Sequence, residues 1–98
     1  MRKYEIPVLA VAWYKPEQWE RLLEISEDRD KLEESYEEWL EHAEKMRKQI
    51  IDQGYLPKKF LVDTEELLQW CRERDLPVNG ESRSHYAAWL LRMEDEKK

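Results

Sequence analysis

Leu32, Tyr36, Trp39, Ala43, Met46 and Ile50 follow one another at steps of four, three, four, three and four, which lines them along one helical face. Leu40 and Ile51 widen that stripe. The pattern predicts a long central helix from Lys31 to Gln53, around which the remaining elements are arranged. Asp30 with Glu33 three residues on reads as a capping box at its start, and Gly54 stands where a left-handed C-terminal cap belongs. The alternation of four and three gives a seven-residue repeat, a spacing suited to a shallow left-handed pairing with another helix, with Tyr36 and Trp39 organising the contact.

Val8 to Tyr14 is an unbroken apolar segment led by Pro7 and closed by Lys15 and Pro16. Its length and its valine and aromatic content predict a strand buried on both faces. Pro16 then opens a helix whose inward face is Trp19, Leu22, Leu23 and Ser26, ending near Glu27 or Asp28 and forming a hairpin with the long helix. Lys59 to Val62 is a second short strand. Asp63 with Glu66 caps a helix over 64–74 that turns Leu67, Trp70 and Cys71 inward. Leu76 to Gly80 is a turn, and Asn79 or Ser82 caps a last helix over 80–93 with Tyr86, Trp89, Leu90 and Met93 inward. The charged tail 94–98 is expected to fray.

The expected fold is therefore α+β and mainly helical, one domain over 1–98 with about four helices and two short strands, 8–14 and 59–62. A two-stranded sheet is marginal in water, and a strand as apolar as Val8 to Tyr14 is a poor exposed edge. Both considerations predict a homodimer in which this strand, or the aromatic helix faces, meets its symmetry mate.

Composition sharpens this picture in three respects. Charged and hydrophobic residues each make up 41% of the 98 residues, so the chain is polar yet carries enough apolar material to fold. Net charge is −6 and unevenly placed: 12 acidic against 3 basic residues lie between Pro16 and Glu44, so the remainder carries a net +3. That balance disfavours general binding to nucleic acid or anionic membrane. Cys71 is the only cysteine, which excludes an intrachain disulfide and suits a reducing cytoplasm. No apolar run approaches the roughly 20 residues of a membrane helix. Arg2 and Lys3 precede an apolar run, but Tyr4, Glu5 and Pro7 interrupt it and no small-residue cleavage site follows, so no signal peptide is read there.

Candidate chemistry is sparse. Glu38 precedes His42 by four residues and Glu81 precedes His85 by four, so each pair shares a helical face, but two ligands do not make a metal site unless the histidines converge. Cys71 lies on the apolar stripe of its helix, where a free thiol acts as a small hydrophobe. Gly54 and Gly80 are the only glycines, which leaves no phosphate-cradling loop, and Ser26, Ser35, Ser82 and Ser84 lack a nucleophile elbow. No metal or other cofactor is implied. The five tryptophans and five tyrosines exceed what one small core readily hides, so Tyr14, Trp19, Tyr36, Trp39 and Tyr55 are the candidate interface residues.

The C-terminal third places Leu68, Leu76, Pro77, Gly80, Tyr86 and Trp89 in a helix, leucine-proline turn and helix that resembles the SAP motif, a short DNA-binding unit. Glu81 stands where that motif begins its basic helix, and His85 at a position normally aliphatic. The resemblance implies nucleic-acid contact through helices 64–74 and 80–93, for which Lys58, Lys59, Arg72, Arg74 and Arg83 are the candidate cations. More broadly, Cys71 to Val78 with Gly80, together with Pro16 to Glu20, resembles a group of small bacterial proteins of unassigned activity, which implies a bacterial origin and no mechanism. The expected role is non-enzymatic protein association in the cytoplasm, self-association included. A nucleic-acid-associated regulator and a small acid-base hydrolase are the alternatives.

Overall fold

The computed structural model describes residues 6–97. Met1 to Glu5, which begin the N-terminal run, and Lys98, the end of the charged tail, lie outside the described residues. The fold is mixed α+β and mainly helical, with four helices and two short parallel strands. In chain order these are β1 (Val8–Trp13), α1 (Trp19–Ile25), α2 (Tyr36–Asp52), β2 (Leu56–Leu61), α3 (Thr64–Glu73) and α4 (Gly80–Glu96). Single 3₁₀ turns stand at Pro16–Gln18 and Arg29–Lys31.

β1 and β2 pair in parallel, with Val8 opposite Leu56 and Trp13 opposite Leu61. Side chains alternate between the faces of such a pair, and each face has its own helix. Val11 and Trp13 pack with Ala43 and Ile50 of α2. On the other face Ala12 and Tyr14 join a larger core with Trp19, Leu22, Leu67, Trp70 and Tyr86, drawn from α1, α3 and α4. The two lysines of β2 follow the same alternation. Lys59 lies over the Trp13 ring and 3.8 Å from Glu44 of α2, whereas Lys58 pairs with Glu94 of α4.

Several boundaries differ from the sequence expectation, each for a local reason. The long helix begins at Tyr36, not Lys31, because Ser35 is the cap: its Oγ accepts the Glu38 N–H at 3.1 Å. Asp30 and Glu33 form no capping box there. Its end is as expected, with Gly54 at φ +96, the Gly54 N–H on Ile51 O and the Tyr55 N–H on Ile50 O, a Schellman pair of bonds. α1 stops at Ile25, and an irregular segment through Ser35 replaces the expected hairpin; α1 packs against α3, where Arg21 bridges to Glu65 at 2.6 and 3.0 Å. The second strand starts at Leu56, upstream of the expected Lys59, and so includes Pro57. α4 continues to Glu96 past the expected end at Met93, since Glu94 is held by Lys58. β1 ends at Trp13, and it is not buried on both faces throughout: Val11 and Trp13 are buried, Val8 and Leu9 are exposed.

Trp39 joins the two halves of the core. Its ring lies 5.1 Å from Trp13, 5.1 Å from Tyr14, 5.6 Å from Trp19 and 5.4 Å from Tyr36, centroid to centroid. The Tyr36 and Trp39 end of the α2 stripe is thus packed on β1 and α1, whereas Met46 and Ile51 farther along it are exposed. Substituting Trp39→Ala is expected to cost about 3 kcal/mol or more in urea unfolding, the usual scale for emptying an aromatic core position.

Candidate functional site

Backbone direction follows from two bonds at the ends of the strand pair. Leu56 N–H donates to Pro7 O and Val62 N–H to Trp13 O, both at 2.9 Å. In a parallel ladder alternate residues of each strand point their N–H and C=O to the partner. Even-numbered residues of β2 therefore face β1, and Pro57, Lys59 and Leu61 face outward. On β1 the odd-numbered residues face β2, leaving the backbone groups of Val8, Ala10, Ala12 and Tyr14 directed outward.

The two outer edges are unlike. That of β2 includes Pro57, which has no N–H to offer, and Lys59, whose charge disfavours strand addition. Pro57 costs the ladder nothing in that position, which is why β2 extends through it. The outer edge of β1 carries neither proline nor charge. At its far end the Tyr14 carbonyl is closed off by the Tyr36 hydroxyl, which donates to it at 3.0 Å. Val8, Ala10 and Ala12 remain. Both strands start at the same end of the sheet, where Ile6, Val8 and Leu9 are 56%, 42% and 43% exposed beside the exposed Tyr55 and Leu56.

A cleft of about 300 Å³ opens at the Ala12 and Tyr14 end of this strand. Ala12 and Tyr14 lie on its floor, with Trp39, His42 and Met46 of α2 on one side and Arg83 and Ser84 of α4 on the other. Tyr14 is buried, and burial pushes its phenol up to about 12, so the hydroxyl stays protonated. Arg83 is fixed by Asp28, to which it donates at 2.9 and 2.8 Å, and by Ser26 Oγ at 3.2 Å. Asp28 also accepts the Gly80 N–H at 3.0 Å, and Asn79 and Ser82 close a reciprocal capping box at 3.0 and 2.9 Å. These bonds tie the start of α4 to the segment after α1 and hold one wall of the cleft in place.

The structure redistributes the expected site residues. Tyr14 and Trp19, expected at an interface, are core residues at 5% and 3% exposure, because β1 and α1 deliver them into the aromatic cluster around Trp39. Tyr36 and Trp39 are half-buried, and Tyr55 is exposed. Among the candidate cations Lys58, Lys59 and Arg83 are in ion pairs, and Arg74 lies 4.3 Å from the Trp70 ring and 5.5 Å from that of Trp89. Arg72 is exposed on α3. His42 does not pair with Glu38; its Nδ1 lies 2.6 Å from Glu33. His85 lines a different hollow, and Cys71 is buried in the core. The three do not converge, and no group of three or more metal-ligating side chains is assembled among the described residues. Glu33, His42 and Ser84 share the cleft, with His42 Nδ1 on the Glu33 carboxylate.

Val8 to Tyr14 as a whole is the strand expected to meet a mate; that Val8, Ala10 and Ala12 are its outward backbone groups, with Met46 and Ser84 near one end, follows only from the fold. The available signal was the contrast between an uncharged first strand and a second strand holding a proline and two lysines. No helix among the described residues is long and apolar enough to cross a membrane. Compared with protein-family models, with curated proteins and with solved structures, the chain matches none.

Arg83, through its hydrogen bonds, holds the Asp28 carboxyl below its ordinary value of 3.8. A group so depressed contributes stability that is present above pH 3.8 and is lost as pH falls below it. Asp28→Asn, which leaves a buried guanidinium unpaired, is expected to cost about 3 kcal/mol at pH 7 and to flatten the loss of stability below pH 3.8, both read from urea unfolding at each pH.

Proposed function

We propose that the protein acts by protein association through the outer edge of β1, and that its partner there is a second copy of the chain. The observation that carries this reading is the asymmetry of the sheet. β2 has the proline and lysines of a guarded edge, whereas β1 has the composition of an interior strand, and Val8, Ala10 and Ala12 have no backbone partner on their outward side among the described residues. An antiparallel meeting of two β1 strands about Ala10 is self-complementary. It sets Val8 of each copy opposite Ala12 of the other, small against larger. It also turns two isolated strand pairs into one four-stranded sheet, the commonest size range for a stable sheet. The exposed Val8 and Leu9 lie along the line of contact.

Association with protein in preference to nucleic acid is supported by the engagement of Lys58, Lys59, Arg74 and Arg83, four of the five candidate cations, in ion pairs or on indole rings. A cytoplasmic location is supported by the single free cysteine. The expected result in light scattering is a mass of twice the 12.1 kDa chain at micromolar concentration. Val8→Lys places a charge on the edge without touching the core, and is expected to return the mass to that of one chain while preserving the circular dichroism spectrum. A monomer mass for the wild-type protein across that range overturns the reading.

A further inference from the structure

α3, the turn at Leu76 and α4 line an open hollow of about 480 Å³, within the roughly 300 to 1,000 Å³ typical of small-molecule sites. It is separate from the β1 edge. Trp70, Trp89 and Leu76 supply apolar wall, and Arg74, His85 and Arg92 supply the polar groups. In a chain of net charge −6 this is a local inversion, for no carboxylate among the described residues lines the hollow. Glu73 is the nearby acid, with Oε1 3.7 Å from Arg74 Nη1.

Arg74 is held in place before any ligand arrives. Its Nη1 donates to the Trp70 carbonyl at 3.2 Å, and its guanidinium rests on the Trp70 ring at 4.3 Å and near the Trp89 ring at 5.5 Å. A guanidinium fixed on aromatic rings has lost its rotamer freedom already and keeps further N–H donors in a planar fork that matches an oxyanion. His85 and Arg92 stand seven residues apart on α4, two turns along one face, and have no ion-pair partner among the described residues.

We infer that this hollow binds a small organic anion with a flat apolar body, an aryl carboxylate or aryl phosphate. The oxyanion is held by Arg74 and Arg92 with His85 beside them, and the flat body lies against Trp89 and Leu76. Three positive or protonatable groups that converge on one hollow suit a single oxyanion better than the row of phosphates along a nucleic-acid strand, which asks for cations spread along a face.

Titration of the full chain with phenyl phosphate and with benzoate, followed by the indole N–H resonances in ¹H–¹⁵N NMR, tests this. Expected is a saturable shift at Trp70 and Trp89 with little movement at Trp13, Trp19 and Trp39, at least about tenfold tighter than with inorganic phosphate, since the flat body adds apolar contact. The ratio of the two aryl affinities identifies the preferred oxyanion. Arg92→Gln, at an exposed position, and Arg74→Gln are each expected to weaken binding about tenfold or more, the scale of a lost charge-assisted hydrogen bond. Circular dichroism checks that both variants fold. The inference is overturned by an absence of saturable shifts with either aryl anion, or by unchanged affinity in Arg92→Gln. It is also overturned if a single-stranded oligonucleotide shifts these resonances while phenyl phosphate does not.

Discussion

A parallel pair of strands cannot be closed by a tight turn, because the chain must return to the end of the sheet where it began before it can pair again. β1 and β2 both start at the same end, so everything between Trp13 and Leu56 is crossover. α1 and the irregular segment after it carry the chain away from the sheet, α2 brings it back over the face of Val11 and Trp13, and the Gly54 turn feeds it into β2. Trp39 makes this path hold, since one ring meets β1, the residue after it, α1 and the start of α2. With β2 on one side and helices on both faces, β1 has one edge that no strand among the described residues pairs with.

The electrostatics support the same frame. Arg83 and Asp28 are 55 residues apart in sequence, and their ion pair is the most enclosed in the described structure, with the Gly80 N–H on the same carboxylate. It fixes where α4 begins, and thereby the position of the wall opposite α2. A charge pair in such surroundings holds a geometry more than it adds stability, because desolvation offsets much of its attraction. The basic residues that sequence reading offers to nucleic acid are largely spent in this way, on carboxylates of neighbouring elements or on indole rings. Arg74, although it rests on indole rings, also lines one hollow with His85 and Arg92 between α3 and α4.

Local signals were legible. The caps at Asp63, Asn79 and Gly54, the helical stripe of α2 and the apolar run of β1 each depend on residues within a few positions of one another, and each appears in the fold. Long-range pairings were not legible. Nothing near Trp19 or Tyr14 says that both turn toward Trp39 and leave the surface, and nothing near Arg83 points to Asp28. The start of α2 was misplaced because two acceptable caps, Asp30 and Ser35, precede the same stripe, and the choice rests on the segment after α1 being used elsewhere. The edge of β1 was half legible. Its apolar composition argued for a mate, but which backbone groups face outward follows only from the register with β2.

That register gives the most direct test of the account. Amide hydrogen exchange of β1, followed by NMR at two protein concentrations, separates groups bonded to β2 from groups bonded to a second copy. Leu9 and Val11, whose N–H groups face β2, are predicted to be protected at both concentrations. Ala10 and Ala12, which face outward, are predicted to be protected at high concentration and to exchange rapidly on dilution. Equal protection along β1 that does not change with concentration, or fast exchange at Ala10 and Ala12 throughout, would contradict the pairing of β1 with its symmetry mate.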